Sequence, residues 1–493
     1  PSSGYQLVAF AIRRRGVMNT FRLPAFFLMS VLLVAVFVFS IESDDGIEGI
    51  PLPVFPVEVS TVDESGDLWF CIGPTGELEG IAERTITLTS FSDADAFGRV
   101  TIADDLGNDI EREILLGAKQ SFDIKPEQSV PGAKWAAVTI EIPSGGVLVK
   151  QNIIGNGLNS EPCITTTSDS WYLPWSSTLR PDNEASLLFY NPFQAPAVAD
   201  LHFVGDIGRR ETLDSQGVVI PSRSLVIFDI TSRIPDSSVV SATVDVRVGQ
   251  LVVARMQMAE EGNQKGLDLV YGSNRAADRV FLTGYEQGTK GSELISILNP
   301  NNELVEVEVS FFGTGGQIAQ PRKLELRALQ RQVLELETFE SMNATYAVEV
   351  KSFDGEPVAA SFISLAGKSS DEESLDVGLA VQNGVDLAAR NWKLLFESRS
   401  FENGYISVFN PSSRNIASIK FSNQESVLPL GMPDEIELDG LESVSFSIMD
   451  SSIKTLDIDS TSPVLASVLG SNSSGFYLET GIAVSKTSQI PLP

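Results

Sequence analysis

Apolar and polar residues alternate along much of the chain beyond residue 59. Residues 305–311 read VEVEVSF, a period of two that is typical of a β-strand with one buried and one exposed face. Similar runs come in pairs across short turns, and three of the four turns contain glycine, which adopts the positive φ of a tight hairpin. The pattern predicts β-hairpins at these places: 138–149, 244–253, 348–360 and 456–466.

The hairpins recur roughly every 105 residues, which is about the length of one β-sandwich domain. A second repeat agrees with this spacing, since three strand-like runs end in Asn-Pro: Asn191-Pro192, Asn299-Pro300 and Asn410-Pro411. Asparagine can bond its own backbone two residues on and proline cannot donate to a β-ladder, so the pair closes a strand and opens a turn. In the first repeat, Ser90-Phe91 stands at this place.

Capped helical patterns are absent beyond the N-terminal region, so the predicted class is all-β. We expect four tandem immunoglobulin-like antiparallel β-sandwiches of about seven strands, arranged as a stalk and preceded by one N-terminal transmembrane or signal helix. The predicted segments are a cytoplasmic N-terminus at 1–22, an apolar segment at 23–41, an acidic, proline-containing linker at 42–58, and sandwiches at 59–165, 166–275, 276–388 and 389–493.

The segment 23–41 contains no charged residue, and its length approaches the ~30 Å of a bilayer core. Arginines precede it and acids follow it, which predicts a cytoplasmic N-terminus and an extracytoplasmic remainder. A cleaved secretory signal is the alternative. Met18 is an alternative start of the protein, in which case residues 1–17 are not translated.

Charge and cysteine content restrict the function. The chain has 65 acidic and 35 basic residues, a net charge of −30, which disfavours nucleic acid and anionic lipid surfaces as partners. The two cysteines, Cys71 and Cys163, bracket the first module. In an exported protein such a pair predicts a structural disulfide.

The apolar N-terminal segment precedes Trp69-Phe70-Cys71, Cys163 is followed by Trp171-Tyr172, and the Asn-Pro modules come after. Together these motifs resemble an uncharacterised family of exported actinobacterial proteins. Phe70 stands where the family has tyrosine, and Val280-Phe281 replaces Trp-Tyr in the third module. The resemblance implies the fold and the export, and it implies no activity because the family has none established.

Catalytic patterns are poor. The single histidine, His202, lies on a predicted strand, where a structural role is the simpler interpretation, and no Gly-x-Ser-x-Gly motif accompanies it. A pair of carboxylates for glycoside hydrolysis remains open among the 65 acids, because such a pair is defined in space. We expect no catalytic residues and no enzyme.

Binding residues are also considered. Trp171, Tyr172 and Trp175 could face a sugar ligand or fill the core, with Trp175 the best candidate for an exposed aromatic. No metal-site motif is complete, and no cofactor is expected. Alternate acids at Asp63-x-Ser65-x-Asp67 and Asp93-x-Asp95 nevertheless fit either a Ca²⁺ site or solvated loops.

The sequence thus predicts a membrane-tethered or secreted, non-catalytic protein of the cell envelope with a structural or adhesive role. Its expected partners are the membrane and an envelope polysaccharide or protein. The alternatives are an accessory subunit of a membrane-bound polysaccharide system and a glycan-active hydrolase.

Overall fold

The computed structural model divides the chain into two compact units, Pro1–Phe55 and Pro56–Pro493. It describes the following residues of the second unit: 61–62, 67–76, 81–179, 183–259, 266–285, 291–336, 345–366, 378–397, 400–423, 428–449, 453–484 and 490–491. The predicted segments 1–22, 23–41 and 42–58 lie outside them. Within the described ranges, no helix has the length and apolar character needed to cross a membrane.

The described residues are nearly all in β-strands, as predicted. A short strand, β1 (Thr61–Val62), comes first. The first sandwich then consists of β2 (Asp67–Pro74), β3 (Glu83–Ser90), β4 (Ala96–Asp104), β5 (Asp109–Leu116), β6 (Ser121–Ile124), the one-turn helix α1 (Pro126–Ser129), β7 (Trp135–Ile142), β8 (Val147–Ile154) and β9 (Leu158–Pro162).

The second sandwich repeats this order. It consists of β10 (Ser170–Leu173), β11 (Asn183–Asn191), β12 (Ala197–Gly205), β13 (Gly208–Arg210), β14 (Val218–Ile220), β15 (Ser224–Asp229), β16 (Ser241–Val248), β17 (Val252–Ala259) and β18 (Gly266–Tyr271).

The third sandwich has the same plan. It consists of β19 (Arg279–Tyr285), β20 (Gly291–Leu298), β21 (Val305–Gly313), β22 (Gly316–Gln317), β23 (Arg322–Leu326), β24 (Arg331–Leu336), β25 (Thr345–Ser352), β26 (Ala359–Ala366) and β27 (Gly378–Asn383).

The fourth sandwich starts two residues before the predicted boundary at 389. It consists of β28 (Leu387–Leu395), β29 (Asn403–Phe409), β30 (Ala417–Ser422), β31 (Glu435–Leu438), β32 (Ser443–Ile448), β33 (Thr455–Asn472) and β34 (Gly475–Thr480), and it is followed by β35 (Ile482–Val484) and β36 (Ile490–Pro491).

Each sandwich packs two antiparallel sheets face to face. In the first, the strand orders are β2-β7-β4-β5 and β6-β3-β8-β9, and the second and third sandwiches repeat them as β10-β16-β12-β13 with β15-β11-β17-β18 and β19-β25-β21-β22 with β24-β20-β26-β27. The alternation in the sequence explains the layers. In β21, Val305, Val307 and Val309 are buried while Glu306 is exposed, so one face of the strand meets the core.

The fourth sandwich differs from the prediction at its last hairpin. A turn was expected between residues 456–459 and 464–466, yet β33 runs without interruption through both. Its first half pairs with β28 and β30, and its second half pairs with β29 and β34. The turn that lacked glycine in the sequence is therefore a place where one strand passes from one sheet to the other.

The predicted stalk is wrong, because the first sandwich contacts the fourth. The last strand of each sandwich, which we name the closing strand, is β9, β18, β27 or β34. Contacts join β9 to β18, β18 to β27, β27 to β34, and β34 back to β9. The parallel pairing of β1 with β35 ties the two ends of the unit together as well. The four sandwiches therefore form one closed cycle of contacts.

Candidate functional site

Glycines at the start of the closing strands allow the sandwiches to approach one another. A Cβ built on Gly157 would lie 2.4 Å from the backbone nitrogen of Leu267, and one on Gly266 would lie 2.7 Å from Leu379 Cβ. A Cβ on Gly378 would lie 2.7 Å from the ring of Phe476. The same glycine thus meets the next sandwich at three successive junctions.

Buried charges occupy the region where the closing strands meet. Lys150 Nζ donates to Glu479 Oε1 and to the carbonyl oxygen of Leu395, both at 2.7 Å, which joins the first sandwich to the fourth. Arg255 Nη2 donates to Asp268 Oδ2 at 2.7 Å, and Asp268 Oδ1 accepts from the backbone of Val381 at 3.0 Å. A buried ion paired in this way avoids the cost of an unpaired charge.

A second part of this network joins the first and second sandwiches. Arg84 Nε donates to Gln151 Oε1 at 3.0 Å, and the amide of Gln151 donates to the hydroxyl of Tyr271 at 3.0 Å. That hydroxyl in turn donates to the carbonyl oxygen of Phe70 at 3.2 Å. Burial lowers the pKa of Arg84 to about 10 and raises that of Tyr271.

Two carboxyl groups line a cavity of 50 Å³ among the closing strands. Burial raises the pKa of Glu479 to about 7, against the opposing effect of Lys150. Removal from water, followed by the nearby Glu479, raises the pKa of Glu161 well above its ordinary value. All four sandwiches contribute to the lining of this cavity. Its volume admits a few waters and no sugar ring, so this pair offers no site for glycoside hydrolysis.

A larger cavity of 290 Å³ lies between the second and third sandwiches. One wall consists of side chains from four strands of the second sandwich: Tyr172 on β10, His202 on β12, Arg209 on β13 and Asp245 on β16. The Asn299-Pro300 turn forms the opposite wall. Tyr172 on β10 and His202 on β12 both pair with Thr243 on β16, and Asp245 lies two residues further along β16.

Hydrogen bonds define the tautomer of His202. Arg209 Nη2 lies 3.1 Å from His202 Nδ1, and a guanidinium can only donate, so Nδ1 accepts. The other nitrogen, Nε2, then carries the proton and lies 3.3 Å from Asp245 Oδ2. Both ring nitrogens are occupied, which leaves neither free to take a proton from a nucleophile.

The Asn-Pro motif has a structural task. Asn299 Nδ2 donates to the carbonyl oxygens of Glu303, Leu326 and Arg327 at 2.8, 3.0 and 3.1 Å, and its Oδ1 accepts from the backbone of Asn301 at 2.9 Å. The other two motifs repeat this network with their own neighbours, and in each the asparagine accepts from the residue two positions on, at Phe193 and Ser412. Asn191, Asn299 and Asn410 are all fully buried, and Pro192, Pro300 and Pro411 follow them in the turn.

The predicted disulfide is confirmed. Cys71 on β2 and Cys163 just after β9 are bonded, with their Cα atoms 4.9 Å apart. The bond joins the edge strands of the two sheets of the first sandwich, β2 and β9, across a sequence separation of 92 residues.

The aromatic candidates lie in different environments. Trp171 is 1% exposed and belongs to the core of the second sandwich. The expectation that Trp175 is an exposed aromatic is wrong, since it is 4% exposed and the Arg255 guanidinium lies 5.3 Å from its ring. Tyr172 is half-buried and lines the 290 Å³ cavity.

The acids considered for Ca²⁺ have protein partners. Asp67 Oδ2 accepts from the backbone of Val147, Asp95 Oδ1 accepts from that of Ala118, and Asp93 pairs with Lys119. Asp63 and Ser65 lie outside the described residues. In the part of the chain that the structure describes, no three His, Cys, Asp or Glu side chains are grouped to hold a metal ion.

Two repeated features were missed in the sequence. The closing strands open with Gly157-Leu158, Gly266-Leu267, Gly378-Leu379 and Gly475-Phe476, a pattern that can be read at module spacing. The turns before β6, β15, β24 and β32 each hold a non-glycine residue at positive φ: Lys119, Arg223, Leu329 and Leu441. These four residues share no chemistry, so only their position relative to Asn-Pro could have indicated the turn.

Residues 149–391 match the model of a family of unknown function (DUF5719). This confirms the predicted resemblance to an uncharacterised family over the end of the first sandwich, all strands of the second and third, and the start of the fourth. No curated protein matches the chain.

Two solved structures have a low similarity. A crystal structure of a tetra-tandem repeat in the extending region of a large adhesion protein is 10% identical, covering 86% of this chain and all of its own, with a TM-score of 0.11. A Streptomyces avermitilis α-L-rhamnosidase complexed with L-rhamnose is 8% identical, covering 85% of this chain and 57% of its own, with a TM-score of 0.13. Such scores carry no argument about fold or function.

Proposed function

We propose that this chain is a non-catalytic binding or structural protein of the cell envelope, anchored by residues 23–41 with its sandwiches outside the cytoplasm. One observation carries the proposal: the residues that recur from module to module hold strands and sandwiches together. The buried asparagines close turns and the glycines fit sandwich to sandwich. Such a scaffold offers junction surfaces between sandwiches for binding.

The compartment is supported by the Cys71–Cys163 bond, because disulfides persist in oxidising environments. The uncharged segment 23–41 with arginines before it supports a cytoplasmic N-terminus and an anchor. A net charge of −30 suits a soluble exterior and disfavours nucleic acid. The proposed partners are thus the membrane and an envelope polysaccharide or envelope protein, with no cofactor.

The compartment can be tested in the cells that produce the full chain. We expect the chain to sediment with membranes, to be cleaved by protease added to spheroplasts, and to react with a maleimide at Cys71 and Cys163 only after reduction. Recovery as a soluble cytoplasmic protein with both thiols reactive would contradict the proposal.

The binding role needs a separate measurement. The detergent-solubilised full chain is mixed with isolated cell envelope before and after chemical removal of envelope polysaccharide, and the bound fraction is determined by sedimentation. Saturable binding that is lost with the polysaccharide is the expected result. Binding that persists would identify an envelope protein as the partner.

The accessory-subunit alternative is tested through the anchor. Replacing residues 23–41 by an unrelated transmembrane helix leaves a pure anchor role intact and abolishes a role that requires docking to a membrane partner. Recovery of a defined partner with the native segment alone would favour the alternative.

A further inference from the structure

We propose that the 290 Å³ cavity between the second and third sandwiches binds one neutral sugar unit of a polysaccharide. The inference deepens the proposed function and rests on it. The cavity lies at the junction of the two sandwiches, and its walls come from four strands of one sandwich and the Asn299-Pro300 turn of the next. Preformed sites of this kind hold a ligand without an ordering cost.

The size of the cavity fits a sugar unit. At about 30 Å³ per water, 290 Å³ corresponds to roughly ten water-sized groups, close to the number of heavy atoms in a hexose unit. The cavity is open, since the side chains of Asp245 and Arg209 are 51% and 39% exposed. The cavity is therefore reachable from solvent.

The lining offers what a sugar requires. Tyr172 contributes an aromatic ring, and Pro300 and Leu329 contribute apolar surface, which suit the C–H faces of a pyranose. Asp245 can accept from sugar hydroxyls, and the hydroxyl of Thr243 can accept from or donate to them. Burial and the neighbouring acids Asp245 and Asp169 raise the pKa of Tyr172, so its hydroxyl remains a donor.

The charges indicate a neutral ligand. Arg209 is paired with Glu211 Oε1 at 2.9 Å and also donates to His202, which in turn donates to Asp245. The guanidinium is thus already compensated, and a bound carboxylate or phosphate would meet two acids close to the one cation. A neutral sugar is not repelled by these two acids.

The experiment is isothermal titration of the full chain in detergent with four probes: cellotriose, mannotriose, galactotriose and trigalacturonate. We expect saturable binding of at least one neutral trisaccharide and at least tenfold weaker binding of the charged one. Asp245→Asn and Tyr172→Phe should each weaken the neutral probe several-fold, and Tyr172→Ala should do so at least tenfold.

The matched control is Glu141→Gln, because Glu141 holds on β7 the register position that Asp245 holds on β16. It should bind within twofold of wild type. Thermal unfolding midpoints confirm that each variant is folded, and the half-exposed Asp245 makes Asp245→Asn a safe variant in this respect.

Three results would overturn the inference: no binding of any neutral trisaccharide, tighter binding of trigalacturonate, or wild-type affinity in both Asp245→Asn and Tyr172→Phe. If envelope sedimentation persists in those cases, the proposed function stands and the cavity is excluded as its site. If the wild-type chain does not sediment with the envelope either, the proposed function is contradicted as well.

Discussion

Three asparagines define the turns of this molecule at the scale of single residues. Each is buried, and the side-chain amide of each donates to three backbone carbonyl oxygens in and beside the turn. Buried backbone acceptors cost free energy when left unpaired. The amide thus replaces the water that such a turn would otherwise need, which explains why asparagine stands at this position in three modules.

Substitutions of Asn299 should show whether its hydrogen-bond donor or its side-chain volume stabilises the fold. Asn299→Ala removes the side-chain donor from the carbonyl oxygens of Glu303, Leu326 and Arg327, of which that of Arg327 keeps the backbone N–H of Gln330. We expect a loss of about 2–4 kcal/mol in the free energy of unfolding. Asn299→Asp keeps the volume and the acceptor but points a carboxylate at carbonyl oxygens, so it should destabilise at least as much. Chemical denaturation measures both, and the exposed Asn302→Ala should change stability by less than about 0.5 kcal/mol. Wild-type stability of Asn299→Asp would contradict this account.

Glu479 should make stability depend on pH. Its pKa is raised from 4.5 to about 7 in the folded chain, so the folded state holds a proton that the unfolded state releases between these values. The stability linked to this proton is complete below about pH 4.5 and is lost as pH rises to about 7. A shift of this size corresponds to something on the order of 3 kcal/mol.

Glu479→Gln tests this by removing the titrating group. The difference in unfolding free energy between wild type and variant should change between pH 5 and pH 7.5, with the wild type losing stability relative to Glu479→Gln as pH rises. Glu161 remains in the variant, and its raised pKa leaves part of the pH dependence in both proteins. Parallel curves for the two proteins would show that Glu479 does not titrate in this range.

At the scale of elements, the closing strands determine how the sandwiches associate. Gly157 just before β9, Gly266 at the start of β18 and Gly378 at the start of β27 leave no room for a Cβ, because the next closing strand lies there. This constraint is steric and acts between sandwiches, so it is absent from the folding rules of an isolated sandwich. The same strands carry Asp268 and Glu479, which pair with Arg255 and Lys150. Close approach and charge pairing therefore occur on one element.

Gly266→Ala tests the close approach. The added Cβ would lie 2.7 Å from Leu379 Cβ and 2.8 Å from its backbone nitrogen, so the junction must shift. We expect a loss of roughly 1–3 kcal/mol. Without the contact, alanine at this ordinary backbone conformation would stabilise by about 0.4–1 kcal/mol. Gly157→Ala, at the matching position of the first sandwich, should lose a similar amount of unfolding free energy. A higher unfolding midpoint in both variants would contradict the contact.

Much of this architecture could be predicted from the sequence, and the reasons are local. Alternation such as that of Val305, Val307 and Val309 predicts a strand with one buried face, and Asn-Pro predicts a turn. The cycle of sandwiches could not be predicted in this way. Lys150 meets Leu395 and Glu479 across separations of 245 and 329 residues, and no periodicity encodes such contacts.

The binding cavity was predicted only in part, for a related reason. Tyr172 was a candidate as a member of an aromatic cluster, but its neighbour Trp171 points into the core, as successive residues of a strand face opposite sides. His202 was assigned a structural role, and its partners Arg209 and Asp245 lie on other strands. The opposite wall comes from the next sandwich, so the cavity exists only once the junction is formed.

The closed cycle has a consequence at the scale of the whole molecule. Each sandwich contacts two others, so unfolding one exposes two junctions, and the described unit should unfold in a single transition by scanning calorimetry. Lys150→Met leaves Glu479 buried without its cation and should cost about 3–5 kcal/mol, whereas Lys150→Met combined with Glu479→Leu should recover most of that loss. Independent transitions in the wild type would mean that the sandwiches do not support one another. Equal losses in the single and double variants would place the closure elsewhere than at this ion pair, since only a coupled pair restores stability when both charges are removed.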